Sequence, residues 1–222
     1  MKEIRLKTGS IKSLHTFYDH NLLLKNSLSS DGNCFTVYAG ETNLVFEESA
    51  EDAFYHFAFN IPSNKIDEAY AWTQERVQLL WLEEYESYIA RFDDWHARSI
   101  YFFDPLGNIV EFVARFDLQD NVNEEFSASQ IRNVSEIGLV FPKDSFEKDV
   151  GELMKSHSLN YFDKQPPMKH FRAVGDDQGL FIIVPENRNW YPTSDRISRI
   201  YPISIRFVQK GKEHELTLRS AR

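Results

Sequence analysis

The chain has 222 residues, of which 42% are hydrophobic and 14% aromatic, so it can fill the core of one large domain or two small ones. It carries 25 lysine and arginine residues against 34 aspartate and glutamate residues, which gives a net charge of -9. This negative charge argues against electrostatic binding to the phosphates of nucleic acids or to anionic membranes. We expect a folded protein that has neither of these as a partner.

The cysteine content and the first residues indicate the compartment in which the protein works. The single cysteine, Cys34, excludes a disulfide within the chain and fits a reducing compartment. We interpret it as a small buried apolar residue. Residues 1–7 are charged from the second residue onward and do not resemble an export signal. No apolar run approaches the roughly 18 residues that span a bilayer. These features predict a cytoplasmic protein.

Three segments of the chain begin with the same pattern. Residues 3–7, 56–61 and 136–141 alternate between outward and inward positions, which predicts a strand with one apolar face. After a short turn, apolar residues follow at spacings of three and four, which predicts an amphipathic helix. Ser10, Ser63 and Asp144 stand where a side-chain oxygen would cap the first turn of each helix. The repeat indicates three related units, each opening with a strand and a helix.

Further strands are expected after each helix, separated by turn residues. They are predicted at residues 34–38 and 43–47, at 99–103 and 109–114, and at 170–174 and 180–184. The fold class is therefore α+β, built from repeated βαβββ units that form curved mixed sheets around a cavity. We place paired units at 1–50 and 51–117 in one domain (1–117), a polar linker at 118–130, and a third unit with additional C-terminal strands at 131–222.

The second unit carries a family resemblance. Its residues 99–112, SIYFFDPLGNIVEF, resemble the fourth-strand hairpin of the vicinal oxygen chelate superfamily, which includes glyoxalase I, bleomycin-resistance proteins and extradiol dioxygenases. His56, on a strand before a helix that carries Tyr70 and Trp72, is similar to the metal-ligand strand of that family. The resemblance implies that units one and two pair, each with a curved sheet, and that a divalent metal lies on the concave wall of the cavity between them.

Alternation gives an independent check on the metal ligands. If Phe57 and Phe59 face the covering helix, His56 faces the cavity, and Glu111 points the same way on its own strand. An imidazole and a carboxylate on neighbouring strands suit a divalent ion that keeps coordination positions open for substrate. We predict His56 and Glu111 as two metal ligands.

The third ligand is predicted from the alignment of the units. Glu3 aligns with His56 and can ligate through oxygen, although family members usually carry His or Gln there; the alternative is an exposed terminal acid. Phe46, which cannot bind a metal, aligns with Glu111. In the third unit the corresponding residues are Glu136 and Ile183, so we expect that unit to provide shape, dimer contacts or closure of the cavity.

Two further residues are candidates for the chemistry. Tyr101 lies ten residues before Glu111, a spacing that resembles the extradiol dioxygenase signature. The resemblance implies that Tyr101 donates a hydrogen bond to a substrate oxygen, or else is a core aromatic. His96 is predicted as a general acid or base if the strand bends toward the site, although the signature places its His further upstream.

The resemblance implies two classes of function. The first is a divalent-metal-dependent enzyme acting on a small oxygenated substrate, such as a catechol, chelated through neighbouring oxygens. A dioxygenase would use Fe2+ or Mn2+, and a glyoxalase-like lyase or isomerase would use Zn2+ or Ni2+. The second is a non-catalytic small-molecule-binding protein of the bleomycin-resistance type, which the apolar Phe46 favours. Both imply a small-molecule partner, and a homodimer is a further expectation.

One motif is not explained by either class. Residues 187–192, NRNWYP, combine arginine, tryptophan and tyrosine, the residue types that anchor interfaces or hold anionic ligands. The alternative interpretation is a packed turn that ends at the proline.

Overall fold

Two mixed β-sheets and three α-helices make up the protein in the computed structural model, which describes residues 1–51 and 53–219. The first sheet has six strands, in the order β13 (Lys212–Leu218), β12 (Ile203–Gln209), β1 (Glu3–Thr8), β4 (Thr42–Glu48), β3 (Cys34–Ala39) and β2 (Asn26–Leu28). The second has seven, in the order β10 (Arg172–Asp176), β11 (Gly179–Pro185), β9 (Asn133–Phe141), β5 (His56–Ile61), β8 (Ile109–Arg115), β7 (Ala97–Phe103) and β6 (Ala90–Phe92). The predicted α+β class is confirmed.

The helices follow the first strand of each repeated unit, as the sequence predicts. They are α1 (Ile11–Thr16), which continues into a π turn at Phe17–Asn21, α2 (Ile66–Gln74) and α3 (Phe146–His157). In each unit the first strand lies parallel to the last, in the pairs β1 with β4, β5 with β8 and β9 with β11. Such parallel pairs need a crossover connection, which the helices provide. None of the described helices is long and apolar enough to cross a membrane.

Only one of the three predicted helix caps forms. Ser10 accepts a hydrogen bond from the backbone N–H of Ser13, as expected. Ser63 instead donates its hydroxyl to the carbonyl of Arg115, and Asp144 lies in a 3-10 turn before α3. The cap predictions for Ser63 and Asp144 are wrong because α2 begins two residues later, and α3 one residue later, than the sequence pattern indicates.

The pairing of the units differs from the predicted one. Strand β5 of unit two pairs antiparallel with β9 of unit three, whereas β1 of unit one pairs with β12 near the C-terminus. The prediction that units one and two enclose the cavity is therefore wrong. Every residue of β5 is buried, so its free edge needs a strand beside it, and β9 provides that strand. The division of the chain into domains at residues 117 and 131 stays a prediction.

The two faces of the seven-stranded sheet have different neighbours. Phe57, Phe59 and Phe112 belong to a core shared with the six-stranded sheet, where the ring centroids of Phe46 and Phe57 lie 6.3 Å apart. Phe46 therefore points into this core. The residues that alternate with these phenylalanines on β5 and β8 face away from the core. The opposite face of the two strands is therefore available to line a cavity.

The polar residues of the hairpin turn hold β8 and β5 in place. Asp104 accepts hydrogen bonds from the backbone N–H groups of Leu106 and Asn108 and from the Asn108 side chain. The side-chain oxygen of Asn108 in turn accepts the N–H of Tyr55, one residue before His56, at 2.7 Å. Tyr18, in the π turn of unit one, donates its hydroxyl to Asp104 at 3.0 Å. The turn motif thus links unit one to the strand that carries His56.

Replacing Tyr18 with phenylalanine should lower the free energy of unfolding by about 1.5 to 3 kcal/mol, the range for a hydrogen bond to a charged group. Burial raises the pKa of Asp104 to about 6, so at pH 8 the carboxylate is ionised and loses one of its donors. Urea unfolding at pH 8 measures the change. The control is Tyr38→Phe, because Tyr38 is exposed and its hydroxyl hydrogen-bonds only to Ser27 in the part of the chain that the structure describes. Equal losses in the two variants would contradict the prediction.

Candidate metal centre in an aromatic cavity

A cavity of about 270 Å³ opens on the face of the seven-stranded sheet that points away from the six-stranded sheet. Its walls are mostly aromatic, and its polar lining includes His56, Glu111 and Glu136. Within the described residues, these three form the one group of three or more potential metal-ligating side chains, with ligand atoms all within 4.8 Å of one another. All three side chains are buried.

The strand register explains why the three side chains meet. Glu111 on β8 lies directly opposite Ala58 of β5, and Glu136 on β9 lies opposite Ala58 from the other side. His56 is two residues before Ala58 and therefore points to the same face. The small side chain of Ala58 leaves the space between the two carboxylates open. Three neighbouring strands thus each deliver one polar side chain to the same spot.

The hydrogen bonding of His56 prepares its ring to bind a cation. Its Nδ1 lies 3.2 Å from the carbonyl oxygen of Ile109, and a carbonyl can only accept, so Nδ1 carries the proton. Nε2 then keeps its lone pair and lies 3.6 Å from Glu111 Oε2. Burial lowers the pKa of His56 to about 4, so the ring is neutral at pH 7. A neutral imidazole with a fixed tautomer is the form that ligates metals.

The two carboxylates are poorly compensated by the protein. Burial, and then the neighbouring charge of Glu136, raise the pKa of Glu111 to about 8. Burial also raises the pKa of Glu136, although the Arg115 guanidinium opposes that shift. Two carboxyl groups this close repel one another when both are ionised, and a cation between them removes that repulsion.

Within residues 1–51 and 53–219, Arg115 is the one cation that contacts this group. It is fully buried at the end of β8, where Nη2 donates to Glu136 Oε1 and Nη1 lies 3.3 Å from Asp177. Among the described residues no hydrogen bond to Glu136 Oε2 is found, so that oxygen can accept a second cation. One imidazole nitrogen and two carboxylates are a donor set that fits a divalent ion with positions left for substrate.

Tyr101 lies beside the cluster, and its hydrogen bond to a substrate oxygen stays a prediction. It faces Glu111 across the β7–β8 pair, and its ring centroid is 6.5 Å from that of His56. Burial and the nearby charge of Glu111 raise the pKa of Tyr101 well above its usual value, so the phenol keeps its proton. Tyr101 is therefore a hydrogen-bond donor on the cavity wall.

The structure does not bring Glu3 or His96 to the cluster. Glu3 lies on β1 in the other sheet, where it forms ion pairs with Arg5 at 2.8 Å and Arg206 at 2.9 Å. The predicted ligand Glu3 thus lies apart from His56 and Glu111, and Glu136 lies beside them instead, because β9 rather than β1 is the neighbour of β5. His96 sits in the turn before β7, 63% exposed and 3.1 Å from Asp117. The strand does not bend to bring His96 to the site, so the condition set for its predicted acid–base role is not met here.

Glu136 and Arg115 are the site residues that sequence reasoning missed. The alignment of the three units already places Glu136 at the position of His56. This alignment is a signal for Glu136. However, if units one and two pair, as the sequence predicts, the third unit lies away from the site and Glu136 is not expected there. Arg115 stands at the end of its strand, and nothing in the local pattern indicates a buried arginine.

Trp190 closes one wall of the cavity. Its ring centroid lies 5.5 Å from that of His56. A Cβ atom on Gly138 of β9 would lie 2.6 Å from the Trp190 ring, so only a glycine allows the indole this close to the strand. Residues 187–192, for which an anchoring motif and a packed turn were both expected, thus supply part of the cavity wall.

No protein-family model matches the chain, and no curated protein matches its sequence. Solved structures do resemble it. A putative dioxygenase from Bacillus subtilis is 15% identical, with a TM-score of 0.53 over 83% of this chain and 63% of that chain. Glyoxalase I from Zea mays is 12% identical, with a TM-score of 0.53 over 83% of this chain and 66% of that chain.

These similarities concern the fold. The chain has the fold of the vicinal oxygen chelate proteins, which confirms the resemblance predicted from the hairpin at residues 99–112. It spans about two thirds of the length of the two solved structures. At this level of identity the activity has to be argued from the site itself.

Proposed function

We propose that the chain is a divalent-metal-dependent enzyme of the glyoxalase and dioxygenase type, in which His56, Glu111 and Glu136 hold the ion. The observation that carries this proposal is the convergence of three ligand atoms within 4.8 Å at the wall of a cavity. The substrate is a small oxygenated molecule with two neighbouring oxygens. A bound divalent ion would supply Lewis acidity that stabilises negative charge on those oxygens.

The protein's own residues provide the rest of the chemistry. Tyr101 donates a hydrogen bond to a substrate oxygen, since its phenol is protonated and faces the cluster. The aromatic walls hold a planar substrate and exclude water, which strengthens the electrostatic interactions inside. Mn2+ or Fe2+ suits a donor set of one nitrogen and carboxylate oxygens, and Zn2+ or Ni2+ suits a glyoxalase-like reaction.

The second candidate is a binding protein without catalysis. Arg115 already satisfies one oxygen of Glu136, so a chain without metal still has a partner for that buried acid. In this case the cavity would sequester an aromatic compound between its tryptophan and phenylalanine walls.

Metal content distinguishes the two candidates. We expect protein purified without chelator to contain close to one metal ion per chain by mass spectrometry, or to bind Mn2+, anaerobic Fe2+, Zn2+ or Ni2+ on titration. His56→Ala and Glu111→Gln should each abolish binding. The matched control is His96→Ala, which removes an exposed imidazole outside the cluster and should leave binding unchanged. Absence of binding to all four ions would overturn the enzyme proposal and favour the binding protein.

A further inference from the structure

Arg188 lines the same cavity as the His–Glu–Glu cluster, but its guanidinium has no acidic partner among the residues with described positions. No carboxylate of the described residues lies within 4.0 Å of it, and its side chain contacts the Phe171 ring, 5.4 Å from the ring centroid. The two arginines that are more deeply buried than Arg188 do have acidic partners. Arg115 pairs with Glu136 and Asp177, and Arg172 pairs with Glu147.

The backbone holds Arg188 at this place. Its N–H donates to the hydroxyl of Ser198 at 3.0 Å, and the N–H of Ser198 donates to the carbonyl of Arg188 at 2.7 Å. Ser198 is fully buried and donates its own hydroxyl to the carbonyl of Pro185, the last residue of β11. The arginine is therefore anchored to the sheet and is not a freely mobile surface residue.

A half-buried cation without a partner is costly for the protein. Burial lowers the pKa of Arg188, but a guanidinium stays charged at any pH at which the protein folds. An anion that enters the cavity would restore the interactions that the guanidinium loses with water. The planar guanidinium fork matches a carboxylate, which it can bind through two parallel hydrogen bonds.

The walls of the cavity indicate what the anion is attached to. Trp95, Phe171, Trp190 and Tyr191 surround a space of about 270 Å³, just below the usual size of small-molecule sites. Flat aromatic walls around a small volume suit a single planar ring. The two glutamates of the cluster repel an anion, whereas Arg188 attracts it. The ligand would therefore bind with its anionic group toward Arg188 and away from the glutamates.

We propose that the cavity takes a small aromatic carboxylate, whose carboxylate binds Arg188 while its ring lies between the aromatic walls. This rests on the proposed function in one respect, since the oxygens that face the metal ligands would sit on the same ring. The contact with Arg188 itself needs no metal, which makes the two ideas separable by experiment.

The test titrates metal-free protein in EDTA with benzoate or its neutral analogue benzamide and follows the tryptophan fluorescence, to which Trp95 and Trp190 at the cavity contribute. We expect benzoate to bind about tenfold or more tightly than benzamide, as a charge-assisted hydrogen bond implies. Arg188→Gln should remove this preference without changing benzamide binding, and Arg188→Lys should keep part of it. Arg91→Gln, at an exposed arginine of β6, is the matched control and should behave as wild type.

Equal binding of the two probes by wild type, no binding of either, or a preference that survives Arg188→Gln would overturn the proposal. These outcomes leave the metal experiment unaffected. A chain that binds metal but does not distinguish benzoate from benzamide retains the proposed function without the carboxylate site. A chain that prefers benzoate but binds no metal retains the carboxylate site alone.

Discussion

Replacing Arg115 with methionine should lower the free energy of unfolding by about 3 to 5 kcal/mol, the range for removing one partner of a buried ion pair. The side chain of Arg115 is fully buried. Its loss leaves Glu136 without an ion-pair partner and removes one of the ion pairs of Asp177. Methionine fills a similar volume, so the effect reports the lost charge and hydrogen bonds. Urea unfolding at pH 7 with EDTA measures it.

The control for this variant is Arg132→Met. Arg132 pairs with Asp120 with 38% of its side chain exposed, so its loss should cost only about 0 to 1 kcal/mol. The double variant Arg115→Met with Glu136→Leu should recover part of the stability, because it removes both buried charges. A loss in Arg115→Met no larger than in the control would show that Arg115 does not compensate Glu136.

Replacing Glu136 with glutamine should weaken Mn2+ binding by about 100-fold or more. Residues that only orient a metal ligand contribute up to about 100-fold to the affinity, and a direct ligand should contribute at least as much. Glutamine keeps the shape and an oxygen for Arg115 but removes the negative charge. The affinity is measured by titration with Mn2+, in which the relaxation rate of water protons reports how much Mn2+ is bound.

Glu3→Gln is the matched control for the third ligand. Glu3 lies in the six-stranded sheet between Arg5 and Arg206, so this variant should bind Mn2+ as wild type does. The opposite result, weak binding in Glu3→Gln and unchanged binding in Glu136→Gln, would restore the ligand set expected from alignment of the first strands.

The sequence was sufficient for the local parts of the site. Alternation along β5 and β8 places His56 and Glu111 on one face, and the parallel register of these strands then brings their side chains together. The hairpin motif also identified Tyr101, because its spacing to Glu111 is set by a short turn. These features depend on residues close in the chain, where local pattern determines structure.

The pairing of distant strands could not be obtained in this way. Alternation shows which residues share a face, but it does not show which strand lies beside β5. The choice of β9 over β1 brings Glu136 to the site and leaves Glu3 elsewhere. His96 was misplaced for a related reason: the left-handed backbone at this residue, with φ of 46°, belongs to a tight turn that strand patterns do not reveal.

Because β5 pairs with β9, the cluster of His56, Glu111 and Glu136 needs residues from two repeated units. His56 and Glu111 come from the second unit and Glu136 from the third, and a polar stretch of sequence separates the two units. A fragment that stopped before β9 would carry two of the three residues and would leave the edge of β5 open to pairing with other molecules. Evolution by duplication or loss of units could therefore preserve this centre only by keeping both neighbours together.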